Sequence, residues 1–203
     1  MWSTGTGDDG PGDESFRRMA PPENEIPVDV PVNAVLGRSP DAAIALTRMQ
    51  VYTTGVSFDV LIRVRPGTPG MAELHDVLWD HGSGGPAVLI GLEFADGRRV
   101  DNLERGRPTD DVVFTLGSGS GNEYSVDQSQ WLHPLPPEGP LQVVVRAARL
   151  GISETRVQLD GSAIRRAAED VVELWPWSPP VPARDERGLP PDVPADSWFA
   201  GPS

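Results

Sequence analysis

Val56, Phe58, Val60, Ile62 and Val64 recur at every second position, with Ser57, Asp59 and Arg63 among the residues between them. A strand turns successive side chains to opposite faces, so this spacing predicts a strand with one wholly apolar face. Such a face has to be buried against a second layer. Residues 88–103 make the same demand in hairpin form. Val88, Ile90, Leu92 and Phe94 share a face, Asp96-Gly97 supplies two residues that tolerate positive φ, and Arg98 to Leu103 returns. The turn expected there is type I′.

Similar segments lie on both sides. Ile26 to Leu36 reads as extended, but Pro27 and Pro31 cannot donate to a ladder, which makes it an edge or entry strand. Ile44 to Tyr52 precedes the Val56 strand around Thr54-Gly55. Val112, Phe114 and Leu116 open a further strand, and the Gly/Ser run 117–121 reads as a break before Tyr124 to Trp131. Leu141 to Val145 and Thr155 to Leu159 alternate as well. Over Ser162 to Asp170 the apolar residues Ile164, Ala167, Ala168 and Val171 recur at helical spacing, and Val171 to Trp175 is a final strand. The fold class expected is mainly β: a β-sandwich of antiparallel strands with one short C-terminal helix, an open barrel being the alternative.

The ends read differently from the middle. Residues 1–25 hold six acids, two arginines and many Gly, Ser and Pro, and residues 179–203 hold seven prolines. Neither offers enough apolar surface to offset the entropy of ordering. The expectation is an acidic N-terminal tail over 1–25, one sandwich domain over 26–178 and a Pro-rich tail over 179–203.

Composition excludes several classes of function. The chain of 203 residues has no cysteine, which removes disulfides, thiol catalysis and Cys-ligated metals. All 17 basic residues are Arg, so Schiff-base and P-loop lysine chemistry is excluded too. A net charge of −13 repels nucleic-acid phosphates and anionic membranes. Met1 to Gly12 lacks the basic-then-apolar order of a signal peptide, and no apolar run approaches the ~20 residues of a membrane span. The expected setting is cytoplasmic, without nucleic acid or membrane.

Candidate chemistry concentrates in Glu73-Leu74-His75-Asp76-Val77-Leu78-Trp79-Asp80-His81. His75, Asp76, Asp80 and His81 are ligand types suited to zinc, iron or manganese. Their spacing is poor: His75 and His81 lie about 120° apart around a helix and ~20 Å apart along a strand. The plainer reading is a short amphipathic helix near 71–81 with Leu74, Val77 and Leu78 inward. Gly5-Thr6-Gly7-Asp8-Asp9-Gly10 matches a dinucleotide fingerprint by letters, but no strand precedes it and its acids would face the pyrophosphate. No Gly-x-Ser-x-Gly elbow occurs. The four prolines of Leu132 to Leu141 suit a polyproline ligand, or more simply a stiff crossover between strands.

Aromatic residues give the other candidates. Trp131, Trp175 and Trp177 border Pro-rich segments at strand ends, with His133 beside the first. Aromatics at such edges serve as protein hot spots or sugar platforms, or simply cap a core. Trp198-Phe199 stands in the polar C-terminal tail, as a partner motif or an anchor back to the domain. Arg98 and Arg99 follow the hairpin turn and offer a cationic contact on an acidic chain.

Phe94-Ala95-Asp96-Gly97-Arg98, the Gly/Ser run 117–121, Trp131-Leu132-His133-Pro134-Leu135-Pro136-Pro137-Glu138-Gly139-Pro140-Leu141 and Glu173-Leu174-Trp175-Pro176 together resemble a family of uncharacterised actinobacterial proteins. The resemblance covers about residues 26–177 and implies a shared fold without implying an activity. An Arg-only basic complement fits the GC-rich genomes of such a source. The functional expectation is a binding or assembly module whose partner is another protein, with no cofactor and no catalytic residue. A small metal-dependent hydrolase using the His75–His81 cluster and a carbohydrate-binding module are the alternatives. Edge strands or a Trp patch leave room for a homodimer.

Overall fold

The computed structural model of the chain describes residues 17–68, 87–103 and 112–179. The helix expected near 71–81, the His75–His81 cluster and Trp198-Phe199 lie outside them, as do residues 1–16 and 180–203.

The chain forms an antiparallel β-sandwich. The strands are β1 (Glu25–Ile26), β2 (Val28–Asp29), β3 (Ala34–Arg38), β4 (Ala42–Val51), β5 (Val56–Val64), β6 (Leu89–Glu93), β7 (Arg99–Asp101), β8 (Val113–Gly121), β9 (Ser125–His133), β10 (Pro140–Ala147), β11 (Ile152–Asp160) and β12 (Val172–Glu173). The larger sheet runs β2-β4-β5-β9-β8, with β3 also paired to β4; the smaller runs β11-β10-β6-β7. A separate two-stranded clip joins β1 to β12. Among the described residues no helix is long and apolar enough to cross a membrane.

The apolar face expected on β5 is the centre of the core. Val56, Phe58, Val60, Ile62 and Val64 are all buried, and Ile90, Leu92, Val143 and Val145 meet them from the smaller sheet. In β4 the alternation changes phase: Ala42, Ile44 and Leu46 point inward, then Met49 and Val51. The register with β5 shifts between Leu46 and Arg48, where a bulge adds the residue that resets the phase.

Proline divides the segment Ile26 to Leu36. β1, β2 and β3 are separate short strands, and Pro27 and Pro31 sit in the gaps where an N–H is missing. Both β2 and β3 lie on the outer side of β4, as expected of edge strands. β3 then crosses toward the smaller sheet, where the Thr155 hydroxyl donates to the Leu36 carbonyl and closes that side of the sandwich.

Three local expectations are corrected. The hairpin turn after β6 is not type I′. Gly97 N–H donates to Phe94 O at 2.9 Å, Phe94 N–H donates to Arg98 O at 2.9 Å, and only Gly97 has positive φ (85°). This is a type I turn over Ala95-Asp96, followed by a left-handed glycine that restores strand direction. Secondly, the Gly/Ser run 117–121 is not a break but the second half of β8. Gly119, Ser120 and Gly121 pair with Gln128, Asp127 and Val126 after a bulge. The ladder to β9 supplies backbone bonds whatever the side chains, so low β propensity is overridden at this edge.

Thirdly, residues 17–25 do not behave as a tail. Arg17 to Met19 are helical, Asn24 is buried and Glu25 begins β1. The domain therefore includes these residues. At the other end, helix α1 (Gly161–Ala168) forms where helical spacing predicts it. The Asp160 carboxylate caps it, accepting from Ser162 N–H at 2.9 Å and Ala163 N–H at 3.2 Å, while Ile164 is buried against the sandwich.

Candidate partner-binding groove

The clip between β1 and β12 sets the position of two tryptophans. Ile26 lies opposite Val172, and Glu25 opposite Glu173. Like charges facing each other would weaken the pair. Each carboxylate instead turns to its own donor: Glu25 accepts from the Thr53 backbone at 2.9 Å and from the Thr53 hydroxyl, and Glu173 accepts from Asn24 Nδ2 at 3.3 Å. The chain then continues in register. Leu174 N–H donates to Asn24 O at 2.8 Å, and Asn24 Nδ2 donates to Trp175 O at 2.7 Å. Asn24 is only 4% exposed, and its Oδ1 is buried without a partner.

These bonds place Trp175 and Trp177 beside the N-terminal segment. Between them runs a groove of about 270 Å³, walled by Arg17, Pro21, Pro22, Asn24, Trp175 and Trp177. Trp175 is 57% exposed although its backbone is fastened. The Arg17 guanidinium lies 5.1 Å from the Trp177 ring centroid, a cation–π contact that holds the arm against the ring. Among the described residues neither indole N–H in the groove has a hydrogen-bond partner. Exposed Val172, Leu174 and Ile26 extend the apolar surface along the clip.

The other sequence candidates fall elsewhere. Trp131 is 2% exposed, so it is not a surface contact. Its indole N–H donates to Arg18 O at 2.9 Å, and its ring meets Tyr52 edge-on at 5.7 Å. It is the anchor beneath the N-terminal segment rather than a platform for a partner. His133, two residues on along β9, is half-buried beside Thr54 and Arg18. Burial pushes its imidazole below the usual 6.5, the Thr54 backbone opposes this, and the Arg18 charge adds to it. His133 Nδ1 and Thr54 Oγ1 are both buried without a hydrogen bond.

Arg98 and Arg99 are committed locally. Arg98 Nε donates to Asp96 at 2.8 Å and its guanidinium lies 5.2 Å from the Phe94 ring centroid. The Arg98 backbone N–H, and then its guanidinium, hold the Asp96 carboxyl below its ordinary value. Arg99 pairs with Glu93 at 3.1 Å, which Arg156 also approaches at 3.7 Å. Trp175 and Trp177 are thus the only pair of sequence candidates that the described residues bring together in one concave surface.

Two further features bear on chemistry. Among the described residues no three His, Asp or Glu side chains are grouped to hold a metal ion. A shallow trough of about 460 Å³ crosses the outer face of the larger sheet over Arg48, Asp59, Asp127 and several serines. It contains no aromatic ring, so it presents no stacking surface for a sugar.

Arg17, Pro21, Pro22 and Asn24 were not among the sequence candidates. No local pattern marks them, because the partner of Asn24 lies 151 positions further along the chain. No family model, curated protein or solved structure matches the chain. The fold and the groove define its class: an antiparallel β-sandwich with an aromatic groove built at the junction of two distant segments.

Proposed function

We propose that the chain is a non-catalytic β-sandwich module that recognises another protein through the Trp175–Trp177 groove. The observation that carries this reading is a large aromatic ring, 57% exposed, on a backbone held by Asn24. A side chain presented on a fastened backbone loses little further freedom on binding, which is the property of an interface anchor. The net charge of −13 supports a protein partner over a nucleic acid, and the absence of cysteine is in keeping with a cytoplasmic setting.

Co-purification of the full chain from lysate of its source cells tests the reading. A partner retained in near-stoichiometric amount should fall about thirtyfold in affinity with Trp175→Ala, the weight of a hot-spot residue. The thermal midpoint of the variant should stay close to that of the parent. A partner set indifferent to Trp175→Ala would overturn the assignment.

A further inference from the structure

We infer that the groove takes an extended, proline-containing peptide segment of a partner protein, carrying a carboxylate beside its prolines. The inference rests on the protein-binding reading above and names the ligand that the walls favour. Pro21 and Pro22 on one wall and Pro179 on the other contribute no backbone N–H. A ligand that adds a β-strand needs a regular row of donors and acceptors, and these walls interrupt that row. A polyproline II segment has no such need, since its backbone makes no internal ladder and leaves its carbonyls open.

The donors available match those carbonyls. The indole N–H groups of Trp175 and Trp177 have no acceptor among the described residues, and each stands beside a flat ring on which a pyrrolidine packs. On the opposite wall the Asn24 amide has its Nδ2 committed to Glu173 and Trp175 O and its Oδ1 unpartnered, an acceptor for the N–H of a non-proline residue of the segment. Charge supplies the remaining selection. Arg17 is held over Trp177 and makes no ion pair among the described residues, even with Glu23 on the same rim, which leaves its guanidinium for a ligand carboxylate.

Isothermal titration calorimetry on the full chain tests this with three blocked synthetic octapeptides. The first combines several prolines with one glutamate, the second replaces that glutamate with glutamine, and the third replaces the prolines with alanine. The first should bind saturably, the second about three- to fivefold more weakly, and the third not measurably. Arg17→Gln should erase the difference between the first two, and Trp175→Ala should abolish binding of both. Three results overturn the inference: a flat titration with the first peptide, equal binding of the alanine peptide, or binding that survives Trp175→Ala. A lysate partner lost with Trp175→Ala, together with a flat titration, would reject the proline ligand while leaving the protein-binding reading intact.

Discussion

The indole N–H of Trp131 donates to the carbonyl of Arg18 at 2.9 Å, tying the outer face of β9 to a residue 113 positions earlier. Thr115 on β8 reaches the same segment, its hydroxyl donating to Met19 O at 3.4 Å. Residues 17–24 are therefore held on the sheet by a buried aromatic, and they carry one wall of the groove with them.

Trp131→Ala should cost about 3–5 kcal/mol, the range for emptying a buried aromatic site. Trp131→Phe should cost about 1 kcal/mol if the ring refills the space and only the hydrogen bond is lost. Urea unfolding followed by circular dichroism measures both. An alanine variant as stable as the parent would show that the segment is not anchored here.

Gly55 lies in the turn between β4 and β5, and a Cβ there would come within 2.3 Å of the Leu132 carbonyl and 2.7 Å of the Trp131 ring. One neighbour is backbone and the other a buried indole, so neither yields easily. Gly55→Ala should lower stability by about 1–3 kcal/mol through overpacking. The thermal midpoint reports it, and no shift would contradict the close approach.

Gln130 is 1% exposed between Phe58 and Leu116 in the ladder, and neither its Oε1 nor its Nε2 has a hydrogen-bond partner. A buried amide without partners is a desolvation cost that an apolar side chain removes. Gln130→Leu should therefore raise stability, by about 1 kcal/mol, in equilibrium urea melts. A clear loss would mean that the amide is paired in solution.

His133 makes stability depend on pH in the mildly acidic range. Its imidazole is held below 6.5 by burial, so the folded state favours the neutral ring. Between that lowered value and 6.5 the unfolded chain binds the extra proton, and stability rises with pH. The contribution is complete above 6.5 and is lost as pH falls through the folded value. His133→Gln should give a flatter stability profile than the parent between about pH 5 and pH 7.5. The Asp96 carboxyl acts in a separate window below its ordinary 3.8, so the two effects are separable. Parallel profiles for parent and variant would exclude His133 as the source.

The sandwich was legible in the sequence because its signal is local. Val56 to Val64 alternates without interruption, and a single period predicts both the strand and the face that is buried. The turn at Gly97 was misread because Asp-Gly suits either a two-residue type I′ loop or a type I turn closed by a left-handed glycine, and the choice depends on strand register. The Gly/Ser half of β8 was hidden for a related reason: the partner strand, not the residue types, makes it extended. The groove was half visible. Trp175 and Trp177 announced themselves as aromatics at a strand end, but their opposite wall lay in a segment whose composition reads as a solvated tail. Its anchors are Trp131 and Trp175, 113 and 151 positions away, and no local window spans that distance.

That separation gives the clip between β1 and β12 a meaning beyond stability. Trp131 and Thr115 seat the N-terminal wall on the sheet, but the groove is complete only once the segment carrying Trp175 has paired with that wall. On the reading proposed above, a partner docking on Trp175 would bind only chains in which these two distant segments have met.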